Sequence, residues 1–169
     1  MLSGETAVGK YPVQVVEQMS KIIIGAEKHP NTRRSQHRIH QDFTSTDETI
    51  ALGAMYVANH LPSVKSIACL TESGGTPLIM SRITSDAVIY AFSPCVKSQN
   101  QMALYRGVVP IPFDENSLEA AEVNRFVTEE LKNRGIVKDG DQVVLTKGDY
   151  ANRSGGTNAL KIATVGSTI

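Results

Sequence analysis

The sequence predicts an α/β fold, a three-layer sandwich of helices around a mixed five-stranded sheet with four parallel strands and an antiparallel last strand. From residue 46 onward, segments with helical periodicity alternate with short runs rich in β-branched residues. Several of these runs are almost continuously apolar, which is typical of parallel strands buried on both faces. The last two runs are joined by a glycine-rich segment with no room for a crossover helix, so the last strand is predicted to be antiparallel.

The first helix of the sandwich is predicted over residues 46–61. Ser45 and Glu48 have the spacing of a capping box, and Leu61-Pro62 ends the periodic segment. Apolar residues recur at the helical period and predict one buried face. These residues are Ile50, Ala54, Val57, Ala58 and Leu61.

Strands and further helices then alternate along the chain. The strands are predicted at residues 66–70, 88–92, 108–111, 142–146 and 160–165. The helices are predicted at residues 77–83, 98–104 and 118–134, the last with Gly135 as its C-cap. The apolar face of that last helix comprises Ala120, Val123, Val127 and Leu131. Right-handed crossovers make the first four strands parallel.

The first 45 residues do not belong to this scheme. Small residues precede Pro12, which begins a predicted helix that reaches Glu27. Residues 28–45 are polar and hold three of the four histidines, a composition typical of an exposed connector. The sequence therefore predicts three segments, namely residues 1–27, a connector over 28–45 and a domain over 46–169.

Composition excludes several classes of protein. Seventeen Lys and Arg residues balance seventeen Asp and Glu residues, so no net charge would concentrate the chain on nucleic acid or on a membrane surface. No run approaches the ~20 apolar residues of a membrane span, and no secretory leader begins the chain. The two cysteines, Cys69 and Cys95, lie in apolar surroundings, which favours a reducing compartment. We expect a cytoplasmic protein without nucleic-acid or membrane partners.

The segment that follows the first predicted strand carries the strongest functional pattern. It reads Thr71-Glu72-Ser73-Gly74-Gly75-Thr76-Pro77, with Thr76 as the predicted N-cap and Pro77 as the first helical residue. Free N–H groups, glycines that permit close approach and a helix dipole together suit a phosphate or a carboxylate. An ordinary strand-to-helix turn explains the same pattern equally well.

The tetrapeptide Ser-Gly-Gly-Thr occurs again at residues 154–157, directly after Arg153. In open α/β sheets, ligands bind beyond the carboxyl ends of the parallel strands, where both glycine-rich loops would emerge. The two loops are therefore predicted to face one pocket, with Lys147 and Arg153 as sources of positive charge. A solvated hairpin connection is the alternative.

No complete catalytic or metal site is evident in the residues themselves. His37 and His40 lie three residues apart, but no cysteine or carboxylate at ligand spacing completes a set. Cys69 falls in a predicted buried strand and is interpreted as a core residue. Ser3 and Glu5 form a further polar pair, with no base, metal cage or cofactor loop around them.

A long N-terminal motif and a series of shorter ones resemble the pyruvate kinase family. Residues Met1-Leu2-Ser3-Gly4-Glu5-Thr6-Ala7-Val8-Gly9-Lys10-Tyr11-Pro12 resemble the segment that closes the family's catalytic barrel. Matches that follow in family order are Ala26-Glu27, Ile50-Ala51, Thr71-x-Ser73-Gly74-x-Thr76, Ser81-Arg82, Leu104-Tyr105-Arg106-Gly107-Val108-x-Pro110, Gly140-Asp141 and Gly156-Thr157-Asn158. The chain is most similar to bacterial members activated by AMP or sugar monophosphates.

The resemblance implies which parts of a pyruvate kinase this chain contains. Residues 1–27 would be the end of the last barrel strand and its helix, and residues 46–169 the C-terminal effector-binding and subunit-contact domain of a tetramer. Phosphoryl transfer from phosphoenolpyruvate to ADP uses Mg²⁺ and K⁺ held by earlier barrel strands, so the chain alone would hold no cofactor and be inert. Only Ser3 would lie near the substrate pocket. The implied effector residues are Thr71, Ser73, Gly74, Gly75 and Thr76 in the first loop and Arg153, Ser154, Gly155, Gly156 and Thr157 in the second.

Two positions depart from the family pattern. Many members have Arg where this chain has Gly75, and members activated by fructose 1,6-bisphosphate have Lys where this chain has Glu72. A carboxylate beside a phosphate repels it by about 1–4 kcal/mol, so the expected effector is a monophosphate. The alternative is a structural oligomerisation module with a vacant phosphate loop. A freestanding enzyme acting on phosphates is a third hypothesis, which the missing base and metal set disfavour.

Overall fold

The computed structural model describes residues 3–29, 42–114, 118–149 and 155–167. The chain divides into two compact units, Met1–Arg38 and Ile39–Ile169. The first unit contains a single helical turn, α1 (Gly4–Ala7), and the helix α2 (Pro12–Glu27), which has the predicted bounds. The division between the units falls within the predicted connector. His37 and His40 lie outside the described residues.

Residues 4–7 form a single helical turn that was not predicted from the sequence. The N–H of Val8 donates to the carbonyl of Gly4 at 2.8 Å, and the N–H of Thr6 donates to the carbonyl of Ser3 at 3.1 Å. A strand end needs a neighbouring strand to pair its backbone groups, whereas a turn pairs them locally. The strand end that the family resemblance implies stays a prediction, because Met1 and Leu2 lie outside the described residues.

The second unit holds the predicted sandwich. Its helices are α3 (Thr46–His60), α4 (Gly75–Ser81), α5 (Val96–Met102) and α6 (Ala120–Asn133). Its strands are β1 (Val64–Leu70), β2 (Val88–Ser93), β3 (Val108–Pro112), β4 (Gln142–Gly148) and β5 (Thr157–Thr164). The strand order is β3-β2-β1-β4-β5. All pairs are parallel except β4 with β5, which confirms the predicted fold class.

Two apolar clusters cover the two faces of the sheet. The sheet therefore lies between two layers of helices, which makes the sandwich three layers thick. One cluster joins α3, α4 and α5 to the sheet and includes Ala54, Met80 and Met102. The other joins α6 to the opposite face through Val123, Val127 and Leu131, as predicted. Within the described residues, no helix is long and apolar enough to cross a membrane.

Several element boundaries and one buried face differ from prediction. In α3 the fully buried residues are Ala51, Ala54 and Met55, whereas Ile50 is only half-buried, so the buried stripe is rotated relative to the predicted one. Ser45 is the N-cap of that helix but makes no side-chain capping bond, so the capping-box interpretation is wrong. Strand β5 begins at Thr157 because Gly148 pairs with it after an irregularity in the ladder.

The start of α4 is a further correction. The helix begins at Gly75, and Gly74 is its N-cap, in the left-handed region with φ 79°. Thr76 and Pro77 therefore lie within the first turn, not at its start. The hydroxyl of Thr76 is not a cap because it is hydrogen-bonded to a residue far along the chain.

Candidate functional site

The candidate site lies where the direction of the chain connections reverses across the sheet. The connections from β1 to β2 and from β2 to β3 run toward one edge, whereas β4 lies on the other side of β1. Open α/β sheets bind ligands at the carboxyl ends of the strands that flank such a reversal. The first loop, residues 71–76, follows β1, and the second loop, residues 149–157, follows β4 and ends at the first residue of β5, so both loops begin at this point.

The first loop is held in place by hydrogen bonds from its own backbone and from β2. The N–H of Thr71 donates to the carbonyl of Phe92 at 3.0 Å, and the N–H of Gly74 donates to the Thr71 hydroxyl at 3.0 Å. The buried hydroxyl of Ser93 lies 3.4 Å from the carbonyl oxygen of Glu72, to which it donates. The loop therefore has a fixed conformation that ends at the first turn of α4.

This conformation leaves backbone N–H groups at the start of α4 available as hydrogen-bond donors for a ligand. The N–H groups in the first turn of a helix have no intrahelical partners. No acceptor among the described residues takes the N–H of Gly75 or Thr76. Ser73 is exposed and Gly75 half-buried, whereas Gly74 and Thr76 are buried. Two N–H groups and the positive end of a short helix thus lie at the carboxyl end of β1.

The two Ser-Gly-Gly-Thr tetrapeptides meet through their threonines. The Oγ1 atoms of Thr76 and Thr157 are 2.8 Å apart and form a hydrogen bond between residues 81 positions apart in the chain. Both side chains are buried, with exposed fractions of 4% and 7%. The structure therefore brings Thr71, Ser73, Gly74, Gly75 and Thr76 together with the end of the second loop, Gly155 to Thr157.

Other predicted site residues are placed elsewhere or not described. Arg153 and Ser154 lie outside the described residues. Lys147 is half-buried near the end of β4. Ser3 lies in the first unit, exposed, where its hydroxyl donates to the Glu5 carboxylate and lowers the pKa of that carboxyl.

Neither cysteine offers an assembled nucleophilic centre. Complete burial raises the pKa of the Cys69 thiol to about 12, with a smaller opposing effect from Thr146. Cys69 is therefore protonated at neutral pH, which confirms its interpretation as a core residue. Hydrogen bonds with the side chain and N–H of Ser98 lower the pKa of the half-buried Cys95 thiol, and the nearby Glu72 carboxylate opposes this shift. Within the described ranges, no group of three or more His, Cys, Asp and Glu residues could hold a metal ion.

Sequence analysis did not identify the residues that support the first loop. Met102 is fully buried, and its Cγ would lie 2.9 Å from a Cβ at Gly74. Gln99 donates from Nε2 to the carbonyl of Ser93 at 2.8 Å. No local pattern marks these residues, because their contacts depend on how α5 packs beside β2 and β3. Backbone N–H groups and hydroxyl groups in such an arrangement are donors of the kind that bind anions.

Comparison with known proteins matches almost the whole chain to one family. The family model for the pyruvate kinase alpha/beta domain matches residues 48–163. Pyruvate kinase of Buchnera aphidicola subsp. Baizongia pistaciae is 46% identical over 165 residues, covering 98% of this chain and 34% of the relative. Pyruvate kinase II of Salmonella typhimurium is 42% identical over 165 residues with the same coverage. Pyruvate kinase of Staphylococcus epidermidis is 33% identical over 170 residues, covering 100% of this chain and 29% of the relative. The chain spans about a third of the length of the curated relatives it matches.

Proposed function

Because the chain belongs to the pyruvate kinase family through its alpha/beta domain, we propose that it is the regulatory part of a pyruvate kinase and binds a phosphate monoester. The observation that carries the proposal is the meeting of the two loops at the Thr76–Thr157 contact, at the carboxyl ends of β1 and β4. The N–H groups of Gly75 and Thr76, which have no acceptor among the described residues, suit a phosphate. The parent reaction is phosphoryl transfer from phosphoenolpyruvate to ADP, which yields pyruvate and ATP.

The effector is AMP or a sugar monophosphate. Glu72 lies inside the first loop and is half-buried, so its carboxylate acts on any anion bound there. At an effective dielectric typical of a protein surface, such a charge costs a second phosphate group about 1–4 kcal/mol. One phosphate held by N–H and hydroxyl donors gains charge-assisted hydrogen bonds that offset this repulsion.

A thermal-shift titration with four phosphate esters tests this binding. Ribose 5-phosphate, glucose 6-phosphate, AMP and fructose 1,6-bisphosphate are titrated into the 169-residue chain. A ligand at a hundred times its Kd stabilises by ~2.7 kcal/mol, so a saturable rise in melting temperature is expected with at least one monophosphate. The double variant Thr71→Ala plus Ser73→Ala is expected to abolish the rise. A rise that persists in this variant would place the ligand elsewhere.

Gly75→Arg is expected to tighten monophosphate binding by about tenfold, since hydrogen bonds to charged groups contribute more than neutral ones. Among the described residues, a Cβ at Gly75 would meet only Ser73 Oγ, at 3.6 Å, an ordinary contact distance, so the position accepts a side chain. Gly75→Ala is the matched control, which adds the Cβ without the charge. Calorimetric titration of ribose 5-phosphate measures the change, and an unaltered Kd in Gly75→Arg would contradict the placement of the phosphate.

The rest of a pyruvate kinase chain is the proposed partner of the first unit. Helix α2 contains no buried residue, although several of its side chains are large and apolar. The exposed apolar residues are Val13, Val16, Ile22, Ile23 and Ile24. An apolar surface of this kind is typical of a face that packs against another structure. The catalytic residues and the Mg²⁺ and K⁺ ions of the parent reaction are proposed to belong to that remaining part.

A second copy of the chain is the other proposed partner, with assembly into the parent's tetramer. Strand β5 lies at the edge of the sheet and pairs only with β4. An open antiparallel edge can pair with the same strand of a second copy about a two-fold axis. Ile162 on this strand is 40% exposed, and Tyr56 on α3, which packs beside β5, is 54% exposed.

Sedimentation velocity tests assembly at this edge. We expect the chain to sediment as a dimer or larger species, and Ile162→Lys to shift it toward the monomer because a charge would be buried in the contact. The matched control is Val109→Lys on β3, the opposite edge strand, where the side chain is 43% exposed. If both variants sediment like the unchanged chain, β5 is not the contact.

A purely structural role is the second candidate function. Glu72 repels an anion and Gly75 brings no charge, and both observations favour a vacant loop. In that case the chain assembles but shows no thermal shift with any of the four phosphates.

A cytoplasmic location fits either function, because both cysteines are free thiols, as is usual in a reducing compartment.

A further inference from the structure

We infer that Thr157 is a positioning residue for the candidate effector site: it donates its hydroxyl hydrogen to Thr76 and so directs the hydroxyl of Thr76 toward a phosphate oxygen. The inference rests on the proposed function and deepens it, because it assigns to the second loop a specific action on the first. The two Oγ1 atoms are 2.8 Å apart, within the usual range for an O–H···O bond.

The number of hydroxyl hydrogens supports this assignment. Two hydroxyl groups bring two hydrogens, and the bond between them uses one. No acceptor among the described residues takes the second hydrogen. Thr76 and Thr157 have exposed fractions of only 4% and 7%, so bulk water does not readily accept this second hydrogen. A buried donor without an acceptor is costly, and a bound oxyanion supplies the missing acceptor.

The position of Thr76 makes it the member of the pair that faces the ligand. No acceptor among the described residues takes its N–H, which lies in the first turn of α4, so Thr76 offers a backbone donor as well as a hydroxyl. Thr157 is the first residue of β5 and is fixed by the ladder, where it pairs with Gly148. A residue anchored in the sheet can hold the side chain of Thr76 in one rotamer. Without that hydrogen bond, the side chain of Thr76 can adopt any of several staggered rotamers.

Calorimetric titration of ribose 5-phosphate into variants of the 169-residue chain tests the inference. Thr157→Val keeps the shape of the side chain and removes the hydroxyl, and we expect the Kd to rise about tenfold, as for one lost hydrogen bond in a charged site. Thr157→Ser restores the hydroxyl and is expected to restore the Kd to within about twofold. Combining Thr76→Val with Thr157→Val should weaken binding no further than Thr76→Val alone, since Thr157 acts only through Thr76.

Two control variants separate positioning from stability. Thr164→Val makes the same substitution at the far end of β5 and should leave the Kd unchanged. Val143→Ala removes fully buried volume from β4 and should lower the melting temperature without weakening binding. If Thr157→Val binds like the unchanged chain, or if the two threonine substitutions weaken binding additively, the inference is overturned and the effector site stands. If the unchanged chain binds no phosphate ester, the effector site is overturned and the inference falls with it.

Discussion

Gly74→Ala is expected to lower the free energy of unfolding by about 2–5 kcal/mol, through a backbone cost and a packing cost that add. Gly74 has φ +79°, a conformation that costs a residue with a Cβ about 1–2 kcal/mol. A Cβ at this position would also lie 2.9 Å from Cγ and 3.2 Å from Sδ of Met102, which is fully buried and has little room to move. Overpacking of a buried site of this kind costs about 1–3 kcal/mol.

Gly107→Ala is the matched control for that prediction. Gly107 has a similar φ of +69°, but nothing lies within 4 Å of the Cβ it would gain, so only the backbone cost of about 1–2 kcal/mol applies. Urea denaturation with linear extrapolation measures both changes. Met102→Ala should relieve part of the cost of Gly74→Ala, so the double variant should be less destabilised than the sum of the single variants. Equal losses in Gly74→Ala and Gly107→Ala would show that the contact with Met102 is unimportant.

The consequence of Gly74→Ala for function follows from where Gly74 lies. Its N–H closes the turn on the Thr71 hydroxyl, and it is the N-cap of α4. A shift of this residue would move the unpaired N–H groups of the first turn. We therefore expect Gly74→Ala to weaken phosphate binding as well as stability, whereas Gly107→Ala should affect stability alone.

The sheet could be predicted from sequence because its signals are local. Short apolar runs such as residues 66–70 and 88–92 became β1 and β2 within a few residues of the predicted bounds. The parallel order followed from the helices between the strands, and the antiparallel last strand followed from the glycine-rich connection without a helix. The meeting of the two loops followed in turn, since the carboxyl ends of neighbouring parallel strands lie at one edge of a sheet.

The predictions that failed depend on contacts between distant residues. Thr76 before Pro77 has the pattern of a helix start, but its hydroxyl is bonded to Thr157, and the helix begins earlier at Gly75. The buried stripe of α3 runs through Ala51 and Met55 because α3 packs on β5 as well as on β1, and the periodicity alone does not include that neighbour.

The second prediction with a large expected effect concerns catalysis by a full-length chimera. The segment of Salmonella typhimurium pyruvate kinase II that aligns with this chain, 165 residues long, is replaced by the corresponding residues of this chain. We expect the chimera to form ATP from ADP and phosphoenolpyruvate, whereas the Salmonella protein without the segment should not. Ribose 5-phosphate should increase the apparent affinity for phosphoenolpyruvate by about 5- to 150-fold, the usual range of coupling between two sites.

The most direct test of the regulatory role is the rate of ATP formation by this chimera as a function of ribose 5-phosphate concentration. The proposed function predicts a saturable activation that is lost when Thr71→Ala and Ser73→Ala are introduced together, because the phosphate then loses two hydroxyl donors of the first loop. An active chimera whose rate is independent of ribose 5-phosphate, AMP and glucose 6-phosphate would contradict the regulatory role and leave this segment as a structural part of the enzyme.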